Sequence, residues 1–208
     1  MKRIILTEDK FRKLMTEARF SNDMLFVSYL PSEYDPKKFK SIETDYNILS
    51  SNKCRYGLWA CPVGNEFGWK EFCEEYDFDK IGNNKFTFKL APNAKIYEID
   101  NADDLKRVST ADVVDNLGRV RRGKKKINFK GLIANGYDGI YASEKAVTEL
   151  RFYYDENIDN LYNWDLEQIC IFNPNVIIPI SNETVEINVN RMEDYWDDYD
   201  EDEYEEMQ

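Results

Sequence analysis

The chain has 208 residues, of which 42% are apolar and 14% aromatic, enough to bury one core, so a single domain is expected. It contains no histidine, which excludes zinc sites built on imidazole and every Ser-His-Asp or Cys-His catalytic scheme. The net charge is −12, but ten Asp and Glu lie in residues 193–208 with no base among them, so the rest of the chain carries only −2.

Residues 7–18, TEDKFRKLMTEA, space Phe11, Leu14, Met15 and Ala18 at three- and four-residue steps after a Thr7 cap, which predicts an amphipathic helix and a leader over 1–20. No apolar run reaches the roughly 18 residues that a membrane-spanning helix needs, and the leader is not a signal peptide, so a soluble, intracellular protein with reduced thiols is expected. MLFVSYLP (24–31) reads as a buried strand stopped by Pro31, and the polar stretch 32–53 as a loop or lid. YGLWACP (56–62) is a second short strand. EFGWKEFCEEYDF then sets Trp69, Phe72, Cys73 and Tyr76 at helical spacing.

KFTFKLAP and AKIYEID alternate as strands, and NADDLKRV opens a helix. Residues 109–126 read as irregular, ending in RVRRGKKK, six bases in eight positions. INFKGLIANG reads as a short helix closed by Gly136, followed by the strand GIYA. The region 145–165 is mixed, and QICIF and NVIIPI close the fold as strands. Short strands among a few helices indicate an α+β domain over 21–190. Residues 191–208 form an acidic tail expected to be disordered, with Tyr195, Trp196, Tyr199 and Tyr204 as aromatic hooks.

Taken in order, YGLWACPVGNEFGWKEFC, IANGYDGIYA and LEQICIFNPNVI resemble the second and third conserved blocks of the ADP-ribosyltransferase fold. The branch resembled is the one related to diphtheria toxin and the poly-ADP-ribose polymerases. The resemblance implies split antiparallel β-sheets with peripheral helices, NAD as substrate, no metal, and a cleft between the two small sheets. It places Trp59 in the slot of a tyrosine that stacks on nicotinamide, with Tyr56 and Gly57 beside it. Glu167 would be the catalytic carboxylate that stabilises the positive charge growing on the ribose. The first-strand residue that grips the other ribose is usually His in this branch. Here the strand offers Val27, Ser28 and Tyr29, so Ser28 or Tyr29 would hold the adenosine-side ribose.

Each candidate also has a plain structural reading. Glu167 could be a strand-edge carboxylate that discourages sheet-to-sheet aggregation. Trp59 and Trp69 could be core aromatics, and Cys61 and Cys170 inert buried thiols. The basic block lacks interleaved aromatics, so specific nucleic-acid binding is not expected. It could contact the phosphates of a dinucleotide, or pair with the acidic tail, the reading placed ahead.

Residues Lys2, Arg3, Ile4, Leu6, Thr7 and Glu8 resemble the leader that begins many proteins of gut Bacteroidota and their tailed phages. Two functions follow as expectations. One is an NAD-dependent mono-ADP-ribosyltransferase-like phage effector that modifies a host protein in the host cytoplasm. The other is a catalytically inactive member of the fold, used as a binding or virion-associated protein attached to a host or phage partner through leader and tail.

Overall fold

The computed structural model describes residues 20–42, 52–65, 67–76, 81–114 and 119–187. The expected leader helix and acidic tail lie outside the described residues, as does the middle of the polar stretch 32–53. The strands are β1 (Leu25–Leu30), β2 (Leu58–Pro62), β3 (Asn84–Leu90), β4 (Ile96–Ile99), β5 (Ala111–Val114), β6 (Val120–Lys126), β7 (Gly139–Ala142), β8 (Gln168–Ile171) and β9 (Ile177–Thr184). Among the described residues four short α-helices accompany them: α1 (Trp69–Glu75), α2 (Ala102–Val108), α3 (Phe129–Ala134) and α4 (Glu144–Leu150). The domain is mixed α+β and mostly sheet.

Seven strands form one sheet in the order β4-β7-β8-β2-β1-β3-β9. All pairings are antiparallel except β4 with β7, which are parallel; this corrects the expectation of purely antiparallel sheets. The parallel pair arises because the chain leaves β4 through α2, the β5–β6 hairpin and α3 before returning as β7. Residues 109–126 are therefore not irregular: β5 and β6 pair antiparallel. Two of the lysines at the end of β6 are paired, Lys124 with Asp159 of the loop after α4 at 3.6 Å and Lys125 with Asp112 of the facing strand β5 at 2.5 Å. Charge pairing across a hairpin was hidden from a reading based on apolar periodicity.

Strand alternation divides the core into two clusters, one on each face. Ile140 and Cys170, paired across β7 and β8, join Ile99, Leu105, Ile127 and Trp164 on the face that α2, α3 and α4 cover. Tyr141 and Ile169, the next pair along, join Phe26, Phe86, Phe88 and Ile171 on the other. Every residue of β7 and β8 is buried, so both strands lie in the middle of the molecule.

The helices start where the side chains dictate. Asn101 accepts N–H bonds from Asp103 and Asp104, Asn128 from Gly131, and Ser143 from Ala146. Gly136 at φ +74 ends the α3 segment as its left-handed terminator, as the sequence predicts. The mixed region 145–165 resolves into α4 followed by a loop, because Ser143 caps a run in which Ala146, Val147 and Leu150 share one buried face.

Candidate functional site

The sheet has one weak seam. β1 and β2 pair only at Phe26 with Pro62 and at Val27 with Cys61. Past those two pairs, the segments 28–30 and 57–60 line a cavity of about 360 Å³ instead of bonding to each other, and Lys53, Trp69 and Gln168 complete its wall. A second cavity of about 290 Å³ shares Leu30, Gly57 and Leu58 with the first and is lined by Tyr34, Lys38, Lys40 and Tyr56. Volumes near 300 Å³ are at the lower end for small-molecule sites.

The predicted cofactor-binding residues converge here from two distant segments. Ser28, Tyr29, Gly57 and Trp59 all line the first cavity, and Tyr56 with Gly57 lines the second. The turn that brings them together is backbone-controlled. Tyr56 at φ +66 and Gly57 at φ +78 are both left-handed, and for a bulky residue that conformation costs about 1–3 kcal/mol. A Cβ on Gly57 would lie 2.9 Å from the Ile171 carbonyl oxygen and 2.9 Å from the Cys170 Sγ. Only glycine lets β2 start this close to β8.

Trp59 is oriented on three sides. Its indole N–H donates to the Tyr56 carbonyl at 3.2 Å, it meets Trp164 in an edge contact at 5.1 Å, and the Lys53 ammonium lies over its ring at 5.1 Å. The ring is thus both a core aromatic and a cavity wall, and Lys53 lies where a stacking ligand would go. Trp69 lines the cavity as well, its ring stacked on Phe72 at 5.5 Å.

Glu167 lies one residue before β8, which is an interior strand between β7 and β2, so the strand-edge reading does not hold. Its carboxylate accepts a bond from Asn65 Nδ2 at 2.9 Å and another from the Tyr141 hydroxyl. Burial raises its pKa above the ordinary carboxylate value, making it a weaker acid, with the Asn65 hydrogen bond partly offsetting the shift. The cavity wall contains the next residue, Gln168, and not Glu167. Gln168 donates to the Leu166 carbonyl at 3.0 Å. Its side-chain oxygen receives no hydrogen bond among the described residues.

Reasoning from sequence alone missed Lys53. The residue is half-buried and lines the cavity, and burial of its amine pulls its basicity below that of an ordinary lysine, with Asp165 and three nearby thiols partly offsetting the shift. A single lysine in a polar stretch carries no sequence signal. Cys61, on the wall, is pushed up to about 12 by burial, which makes it an inert thiol, as expected. Burial, then Glu71 and Glu74 of α1, raise the Tyr29 phenol above its ordinary value. Among the described residues there is no cluster of three or more metal-ligating side chains, and no helix is long and apolar enough to cross a membrane.

Comparison with protein-family models, with curated proteins and with solved structures returns no match.

Proposed function

We propose that this chain is an ADP-ribosyltransferase-like domain that binds a dinucleotide such as NAD in the split between β1 and β2 without breaking its glycosidic bond. The charge of the cavity carries this reading. Among the described lining residues of the first cavity there is one cation, Lys53, and no carboxylate. Cleavage of NAD leaves positive charge on the ribose, which a fixed carboxylate favours and a nearby ammonium opposes. The dinucleotide part is supported by the convergence of Ser28, Tyr29, Gly57 and Trp59, and by two adjoining cavities that suit a two-part ligand. Attachment of the chain to a host or phage protein through its acidic tail belongs to the same reading. Deleting residues 191–208 is expected to abolish partner capture, and a truncated chain that keeps its partner overturns that part.

A transferase reading draws on a different observation. Glu167 immediately precedes the wall residue Gln168, and Asn65 and the Tyr141 hydroxyl fix its carboxylate. In that reading Glu167 steadies the oxocarbenium-like ribose of NAD and the chain modifies a host protein. Thermal unfolding of the full chain across an NAD titration, with nicotinamide followed in the same samples, separates the two. A midpoint that rises with NAD without nicotinamide release supports the binding domain; a ligand at a hundred times its Kd adds about 2.7 kcal/mol. Release that Glu167→Gln abolishes supports the transferase. No rise and no release at millimolar NAD overturns both.

A further inference from the structure

We infer that Lys53 reads the charge of the ligand: the cavity between β1 and β2 takes a flat, largely apolar body that carries one anionic group, held against the Lys53 ammonium. The inference rests on the cavity being a ligand site, and it narrows which ligands enter.

Three observations carry it. The wall around Lys53 is mostly apolar, with Val27, Leu58, Trp59 and Trp69 among its residues, so a charge there acts through little water. Among the described residues no carboxylate lies within 4 Å of the Lys53 nitrogen. The acid whose charge acts on it, Asp165, is bonded to Arg151 at 2.8 Å. What faces the ammonium is the ring of Trp59, which attracts a cation far less than a full negative charge does. A neutral ligand filling the cavity would strip water from Lys53 and return nothing, whereas an anionic group would supply a charge partner that none of the described residues provides.

The same geometry disfavours a cationic ring. An oxidised nicotinamide carries positive charge, so the adenylate end of a dinucleotide, with its phosphate, suits this cavity better than the nicotinamide end. Gln168 and Tyr29 are lining residues too, and their polar side chains could supply further contacts to such a ligand.

The test compares matched pairs on the full-length protein by calorimetric titration: AMP against adenosine, and 2-naphthoate against 2-naphthamide. The anion of each pair is expected to bind at least about tenfold more tightly, the scale of one charge-assisted hydrogen bond. Lys53→Met should remove that preference, and Lys53→Arg should retain most of it. Unfolding midpoints without ligand verify that both variants fold. A naphthoate preference that depends on Lys53, with no binding of AMP or NAD, would leave this inference standing and overturn the dinucleotide reading. Equal binding of anion and neutral partner, a preference that survives Lys53→Met, or no binding by any of the four would overturn the inference.

Discussion

Gln168 and Glu167 are consecutive, yet they serve different parts of the molecule: Gln168 lines the cavity between β1 and β2, while Glu167 is held by Tyr141 and Asn65. The cause is strand alternation. Tyr141 and Ile169 belong to one core face and Cys170 to the other, so Glu167 goes with the first pair and Gln168 with Cys170. Exchanging the chemistry at the two positions should therefore have unlike effects. Gln168→Glu puts a carboxylate on the wall that carries Lys53 and is expected to weaken AMP binding by about tenfold or more. Calorimetric titration reads the effect, and unchanged affinity would mean that Gln168 does not reach the ligand.

Glu167 also has a pH signature. Its folded-state value is raised, so the native state holds its proton more tightly than the unfolded chain does. The sign follows directly: stability from this group is fully present below the unfolded carboxylate value of about 4.3 and is lost as pH rises through the higher folded value. Glu167→Gln should flatten that part of the profile and change stability at neutral pH by no more than about 1 kcal/mol. Urea unfolding at closely spaced acidic pH values measures it, and an unchanged slope in the variant would assign the pH dependence to other groups.

Asn52 ties three segments together behind the cavity. Its side chain donates to the carbonyls of Asp159 and Asn160, each at 2.8 Å, and accepts the Ile127 N–H at 2.7 Å. Its own carbonyl receives the Trp164 indole N–H at 2.8 Å. Asn52→Ala would leave up to three buried or half-buried groups without partners, at about 1–3 kcal/mol each before relaxation, and a total loss of at least about 3 kcal/mol is expected. Denaturant midpoints test this. A loss below about 1 kcal/mol would show that water replaces the side chain.

Gly57→Ala combines a left-handed backbone with a contact of 2.9 Å to a main-chain oxygen, so it should cost about 2–4 kcal/mol and widen the mouth of both cavities. Tyr56→Gly removes strain at the neighbouring position and should leave stability unchanged or raised by up to about 1 kcal/mol. Thermal midpoints of the two variants should move in opposite directions or differ by several degrees. Equal losses would locate the constraint in the Tyr56 side chain instead.

The four cysteines are buried, and burial raises Cys61 to about 12 and Cys73 to about 11. In the native protein, thiol reagents at neutral pH should label them only as fast as the fold opens. Mass spectrometry of briefly labelled protein reads this, and rapid modification of Cys61 would mean that the cavity admits reagent directly.

Local patterns were enough to place most elements. The apolar runs 25–30, 58–62 and 168–171 and the terminator Gly136 mark strands and a helix end because neighbouring residues satisfy one another there, whereas the Ser143 cap of α4 was not read from the sequence. The family resemblance, and not local periodicity, singled out Ser28, Tyr29, Tyr56, Gly57 and Trp59, which the fold places around two adjoining cavities. Local information could not register that β1 and β2 part after two pairs, since strand pairing is decided by what each strand meets from elsewhere in the chain. Nor could it show that the chosen carboxylate, Glu167, is absent from the cavity wall that Gln168 lines, or detect Lys53. A shift of one residue reverses the face a side chain occupies, and an isolated lysine gains its meaning only from the walls that Val27, Trp59, Trp69 and Gln168 build around it.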